Sequence, residues 1–228
     1  MVNYKTVLVT GATRGIGRAL VVNLCRKGYR VFATGRDSAL LQELKEQTGC
    51  YGEHCDLSEV EAATKLYQQA EEVLGHIDVL INNAGMNSRK CALVDTDLEE
   101  FEQQYAINLR APYLLCREAM RKMVPRGAGY IINVVSTVAK RSNETMSIYT
   151  AMKQGFAGLS NVLMKEAQPH GIKVTAVYPG GANTEFREQT RPQYMSPDSV
   201  ALMIAQLLEN PADVVMHELT FRPPVELE

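Results

Sequence analysis

Short apolar runs alternate with longer stretches of helical period along this chain. Thr6–Thr10, Arg30–Thr34, Cys50–Cys55, Asp78–Asn82, Gly129–Val135, Lys173–Tyr178 and Met216–Phe221 read as strands, being brief and rich in β-branched or buried apolar residues. Between them Gly15–Lys27, Ser38–Gln47, Glu59–Leu74, Leu98–Met123, Ser147–Gln168 and Ser199–Leu208 read as helices. The first is apolar at Ile16, Ala19, Leu20 and Leu24 and is closed by Gly28; Gly75 ends the third in the same way. Runs as continuously apolar as Val79-Leu80-Ile81 and Ile131-Ile132 need cover on both faces. The pattern therefore predicts an α/β doubly wound parallel sheet of about seven strands, three layers deep, with helices above and below. No Pro- or Ser-rich linker divides the chain, so one domain over 1–228 is expected, with Gly180–Asp198 as the longest candidate loop.

Composition narrows the classes of function. The 228 residues are 46% hydrophobic and 22% charged, with 24 basic against 26 acidic side chains. That balance excludes a disordered chain, and without an unbroken apolar run of roughly 20 residues or a basic run, neither a membrane nor a nucleic acid is an expected partner. Five scattered cysteines without a Cys-x-x-Cys pair suggest reduced thiols in a cytoplasmic protein. His54, His76, His170 and His217 lie too far apart for a zinc signature, so no metal is expected. The start, Met1 to Lys5, shows no secretion leader, and Leu227 and Glu228, which could be a cloning scar, carry no part of the fold argument.

Chemistry enters at the end of the first strand, in Thr10-Gly11-Ala12-Thr13-Arg14-Gly15-Ile16-Gly17. Small residues let the backbone turn tightly and approach a pyrophosphate, whose charge the unpaired N–H groups of a helix N-terminus can meet. A plain strand-to-helix turn does not need three glycines so closely spaced. The arrangement predicts a Rossmann-like fold with a dinucleotide site, although the spacing is Gly-x-x-x-Gly-x-Gly and not Gly-x-Gly-x-x-Gly.

Four further islands follow: Asn82-Asn83-Ala84-Gly85 after the fourth strand, Asn108 in the long helix, Ser136 after the fifth strand, and Tyr149-x-x-x-Lys153 thirteen residues beyond that serine. Together with the glycine turn they resemble the short-chain dehydrogenase/reductase family, in order and at its spacings, from about Thr6 to Thr184. The residues themselves fit the roles that the resemblance implies. Tyr149 and Lys153, at i and i+4, share one helix face, so the ammonium can favour the phenolate of a group whose ordinary pKa is about 10. The resemblance makes Tyr149 the general acid toward a small-molecule carbonyl, Ser136 the donor that polarises it, and Lys153 a ligand of the nicotinamide ribose as well. It makes Asn108 the holder of a water linking the lysine to solvent; a polar kink or a helix-packing residue is the other reading of Asn108.

By the same resemblance Gly11, Thr13, Arg14, Gly15, Ile16 and Gly17, with Leu57, Asn83, Ala84 and Gly85, are expected to contact the cofactor. Pro179 and Gly180 would close over the nicotinamide and Thr184 would bind its carboxamide. The position where users of NAD(H) carry aspartate is Gly35, followed by Arg36, so NADP(H) is expected in preference to NAD(H), with Arg14 as a second cation. Asp37 is read as the cap of the next helix. Asp56 resembles an adenine-contacting aspartate, with a second helix cap as its alternative. About a dozen residues, Glu185–Pro197, stand where relatives carry a lid, which implies an open cleft. Lys140, with Arg141, could attract an acidic group of the substrate or be merely solvated. Met86, Met146 and Phe186 are candidates for the pocket lining or for ordinary core. The long helices Leu98–Met123 and Ser147–Gln168 imply a homodimer or homotetramer. The activity implied is an NADP(H)-dependent ketone or aldehyde reductase; a non-catalytic NADP(H)-binding or sensing protein on the same scaffold is the alternative from another class.

Overall fold

The computed structural model describes residues 4–87, 90–186 and 190–226. Seven strands, β1 (Thr6–Val9), β2 (Arg30–Gly35), β3 (Tyr51–His54), β4 (Val79–Asn82), β5 (Gly129–Val134), β6 (Ile172–Pro179) and β7 (Glu218–Phe221), form one sheet in the order β3-β2-β1-β4-β5-β6-β7. Every neighbouring pair is parallel; Val7 stands opposite Val31 on one side and Val79 on the other, and Ile81 opposite Ile132. The helices are α1 (Gly15–Arg26), α2 (Ser38–Thr48), α3 (Ala62–Leu74), α4 (Leu98–Tyr105), α5 (Ala111–Met123), α6 (Ser147–Ala167) and α7 (Pro197–Ala205).

The central strands are buried along their whole length because helices cover both faces. Alternate residues feed two separate cores. Val7, Val9, Ile81 and Ile132 pack with Leu20 and Leu24 of α1 and with Val200 and Ile204 of α7. Leu8, Leu80 and Ile131 point the other way, onto Leu66 of α3, Leu115 of α5 and Leu163 of α6. At the edges β3 buries only Gly52 and β7 half-exposes alternate residues, as strands with one neighbour do.

The chain starts in the middle of the sheet, runs outward to β3 and returns on the other side of β1 as β4. Strand order reverses there, and the crevice beyond the carboxyl ends of β1 and β4 is where such sheets bind ligands.

Several element boundaries depart from the sequence pattern, α3 for one starting at Ala62 and not at Glu59, and two of the departures have clear local reasons. The stretch expected as one helix from Leu98 to Met123 is broken: a π-helical segment, Ala106–Arg110, separates α4 from α5, and the Ala111 N–H donates to the Ala106 carbonyl five residues back. Pro112 accounts for the break, since it has no N–H for the Asn108 carbonyl and its ring crowds that carbonyl. The last helix starts at Pro197, two residues before the expected start, because the Ser196 hydroxyl accepts from the Ser199 N–H at 3.1 Å and proline suits the first helical position.

Candidate active site

The turn between β1 and α1 is shaped by contacts that exclude side chains. Gly11 has φ +64°, and a Cβ there would lie 2.8 Å from the Ala84 Cα; a Cβ on Gly17 would lie 2.1 Å from the Gly11 carbonyl oxygen. The Asn83 amide donates to the carbonyls of Thr10 and Gly11 at 3.0 and 3.2 Å, and the Thr10 hydroxyl accepts from the N–H groups of Asn83 and Ala84. Thr10 thus ties the loop after β4 to the glycine turn, a role that its place at the end of an apolar strand did not signal. No side chain caps α1, so its first N–H groups face the crevice free of a local acceptor. These features fit a pyrophosphate: a backbone cradle that a Cβ would fill, at a helix N-terminus.

At the end of β2 a Cβ on Gly35 would lie 2.5 Å from Cγ2 and 2.7 Å from Oγ1 of Thr13. A carboxylate at this position, the one expected for a ribose diol, would have to displace a buried threonine. Beside it Arg36 is exposed, and Arg14 pairs with Asp37 at 2.9 Å. Asp37 also caps α2 by accepting from the Leu40 N–H at 3.0 Å, as its sequence position suggested. The Leu40 N–H and the Arg14 guanidinium hold its carboxyl below the usual carboxylate range.

Lys153 and Tyr149 stand one turn apart on α6, 3% and 7% exposed. The lysine Nζ donates to the Val134 carbonyl at 3.1 Å and lies 5.8 Å from the centre of the Tyr149 ring. Burial pulls its pKa down to about 8. A Cβ on Gly85 would come within 3.5 Å of Nζ and 3.2 Å of the Asn108 Oδ1, so glycine at 85 leaves the space between these two side chains open. Asn108 accepts from the Met86 N–H at 3.1 Å and donates to the Met86 carbonyl at 2.8 Å. Ser136 follows β5, and its hydroxyl accepts from the Val138 N–H at 3.3 Å.

One cleft of about 1360 Å³ joins these parts. Gly11, Thr13, Arg14, Gly15, Ile16, Gly17, Arg36, Leu57, Asn83, Ala84, Gly85, Ser136, Tyr149, Lys153, Pro179, Gly180 and Thr184 line it, as do Met86, Met146 and Phe186. The Phe186 ring lies 6.0 Å from that of Tyr149, and Thr184 leans across so that a Cβ on Gly15 would be 3.2 Å from it. Residues 187–189 of the stretch expected to form a short lid lie outside the described residues.

Three expected site residues are not among those that line the cleft. The Asn108 carboxamide is turned into the loop it braces. Asp56 accepts from the Ser58 N–H at 2.9 Å within the turn before α3, and since the N-cap of that helix is Glu61, with no side-chain cap bond, Asp56 does not cap it either. Lys140 lies outside the cleft, paired with Glu218 of β7 and 4.1 Å from the centre of the Tyr178 ring. It is neither solvated alone nor turned toward the cleft, because a carboxylate 78 residues on in sequence takes its charge.

A parallel sheet with a glycine-lined turn at its switch point defines a Rossmann-type nucleotide-binding protein. The profile of the short chain dehydrogenase family matches residues 5–195. Human 3-oxoacyl-[acyl-carrier-protein] reductase is 33% identical over 222 residues, covering 91% of this chain and 92% of its own. A metagenomic short-chain oxidoreductase solved in complex with NADP superposes with a TM-score of 0.86 at 32% identity, over 96% of each chain. Serine dehydrogenase from Escherichia coli superposes with a TM-score of 0.89 at 26% identity, over 98% of this chain and 100% of its own. The chain belongs to the short chain dehydrogenase family, a family of oxidoreductases, and the complex of its structural neighbour supports a nicotinamide cofactor.

Proposed function

We propose that the protein is an NADP(H)-dependent reductase of a ketone or aldehyde, reversible as an alcohol dehydrogenase. The observation that supports it most strongly is the single cleft that has the glycine cradle at one end and Ser136, Tyr149 and Lys153 at the other. When bound, the nicotinamide dinucleotide supplies or takes up the hydride. Tyr149 gives its phenolic proton to the carbonyl oxygen, and Ser136 donates a second hydrogen bond that orients and polarises it. Lys153, with one of its three donors on Val134, has two left for ribose hydroxyls and places positive charge beside the phenol. Asn108 acts by holding Met86 and the adjoining Gly85, and Pro112 frees its backbone carbonyl to hold a water on the path from the lysine. Met86, Met146 and Phe186 line the cleft and offer the substrate apolar contact there.

The choice of NADP(H) rests on Gly35, where Thr13 leaves no room for an acidic side chain, and on Arg36 and Arg14, which would meet a 2′-phosphate. Arg14 is shared with Asp37, so Arg36 carries more of the preference. Arg36→Asp is expected to shift the NADPH-to-NADH ratio of kcat/KM by about 10- to 100-fold toward NADH, the range of one charge-assisted hydrogen bond. An unchanged ratio would remove Arg36 from phosphate recognition. The reading as a whole is tested by oxidation of NADPH and, separately, NADH against a broad carbonyl panel, where cofactor binding without turnover of any compound would count against it.

The buried lysine also makes a prediction for stability. Below about pH 8 both folded and unfolded chains hold the proton, and the penalty of burying the ammonium is felt in full; between about 8 and 10.5 the unfolded chain binds more protons, so stability rises with pH. Lys153→Met should therefore stabilise the cofactor-free protein at about pH 7 by at most about 3 kcal/mol, and its unfolding temperature should rise accordingly. The advantage should shrink by about pH 10. Thermal unfolding at both pH values checks this, and a gap that does not change with pH would place its origin outside the ammonium.

A homodimer or homotetramer is part of the proposal, supported by Leu98 and Phe101 of α4 and Tyr113 of α5, which leave 73%, 41% and 45% of their surface exposed. No described helix is long and apolar enough to cross a membrane. A cytoplasmic location is proposed on the five unpaired cysteines.

A further inference from the structure

Beside Tyr149 lies a recess that the reaction as described does not use. It is formed by Thr96, Glu100 and Gln104 of α4 and the turn before it, by Asn87 and Cys91 after β4, and by residues 145–149 at the start of α6. Tyr149, Met146 and Asn87 line both the recess and the main cleft, so the two adjoin at these residues.

Gln104 is 1% exposed, yet its Oε1 has no hydrogen-bond partner. Its orientation is settled by chemistry. Nε2 donates at 2.6 Å to a carboxylate oxygen of Glu100, which can only accept, so Oε1 must be the atom left over. A buried acceptor without a donor is costly and uncommon. The Asn87 Oδ1, on the same recess, is buried and unpartnered too. Thr145, at the rim, is the one described residue other than glycine in the left-handed region, with φ 63°. It turns the chain into α6, where no side chain caps the helix.

We infer that this recess is a subsite for a hydroxyl group of the substrate, so that the preferred substrate is an alcohol or carbonyl carrying a second hydroxyl close to the reacting carbon. The inference rests on the reductase reading and narrows its substrate class. The free volume is about 10 Å³, at the threshold for a single water and hence for the one oxygen of a hydroxyl that replaces it. A hydroxyl donates to the Gln104 Oε1 and can still accept from an N–H in the uncapped first turn of α6. An ammonium fits less well, because it cannot accept and the Glu100 carboxylate is already engaged by Gln104. An aliphatic group would leave the buried amide oxygen unpaired, which is how a site built around a hydroxyl rejects the analogue without one.

The experiment compares kcat/KM with NADP+ for 1,2- and 1,3-diols, the mono-alcohols of equal chain length and the matching amino alcohols, in the wild type and in Gln104→Met. The expected result is a wild-type preference for one of the diols of about tenfold or more, reduced at least tenfold by Gln104→Met. Equal use of diol and mono-alcohol by the wild type, a preference that survives Gln104→Met, or an amino alcohol that outperforms both diols would overturn the inference while leaving the reductase reading intact. If Gln104→Met does not fold, Asn87→Ala should reduce the same preference severalfold, and an unchanged preference there counts against the subsite. If no alcohol is turned over, the reductase reading is what has failed. Calorimetric binding of the diols and mono-alcohols to the NADP+-loaded protein then reads the recess directly, and equal affinities would overturn the inference.

Discussion

Tyr149→Phe is expected to lower kcat by about 10²- to 10⁴-fold while leaving the dissociation constant for NADPH within about twofold of the wild type. The substitution removes one oxygen and keeps the ring, so the 7%-exposed side chain still fills its place against Phe186. What it removes is the only proton that the proposed mechanism delivers to the carbonyl oxygen. Ser136, whose hydroxyl follows β5 and accepts from the Val138 N–H, has in this mechanism only the orienting hydrogen bond. The cradle for the dinucleotide is built from other elements, chiefly the turn after β1, which is why binding and turnover should separate. Steady-state kinetics and a fluorescence titration of NADPH, run on the same preparation, check both halves. A variant with full turnover would take Tyr149 out of the mechanism, and one that had lost NADPH binding would show that the ring position itself had moved.

The second large effect is expected at Gly17. A Cβ there would lie 2.1 Å from the Gly11 carbonyl oxygen and 2.6 Å from the Asn83 Nδ2, and neither neighbour can yield cheaply. The Gly11 carbonyl accepts from Asn83, whose side chain also bonds the Thr10 carbonyl, while the hydroxyl of Thr10 in turn takes the N–H groups of Asn83 and Ala84. Gly17→Ala must therefore push α1 away from the turn and open the cradle. Overpacking of this kind costs about 1 to 3 kcal/mol of stability. The larger consequence is for the dinucleotide, whose affinity should fall at least about tenfold as the N-terminus of α1 leaves its place. Unfolding in denaturant and NADPH titration measure the two effects; wild-type affinity would mean that the turn relaxes without moving the helix.

The sheet and its covering helices could be read from sequence because periodicity reports burial directly, and strands such as Val79-Leu80-Ile81 are apolar on both faces only where both are covered. The break in the helix from Leu98 to Met123 was harder to see, since Ala106, Ile107 and Ala111 continue the apolar pattern through it. The signal was Pro112, four residues after Asn108, and reading it required asking which carbonyl had lost its donor. The start of α7, expected at Ser199, was missed although Ser196-Pro197 carries the signal for it. The place of Lys140 was not legible, because its partner Glu218 belongs to β7, and only the pairing of β6 with β7 brings that strand near. Gln104 was invisible for a different reason. In sequence it is an ordinary polar residue on a helix rich in Glu and Gln, and its burial arises from the loop after β4 and the start of α6 packing over it. Pair contacts between distant segments decide such residues, and periodicity carries no record of them.

The central claim is that this cleft moves hydride from a nicotinamide to a carbonyl carbon. The most direct measurement uses NADPH deuterated at the transferring position with a ketone or aldehyde that the panel identifies, followed by analysis of the product alcohol by mass spectrometry and NMR. The account predicts one deuterium on the carbinol carbon of the wild-type product and almost none in the same time with Tyr149→Phe. Product alcohol without deuterium, or tight NADPH binding with no transfer to any carbonyl offered, would contradict it.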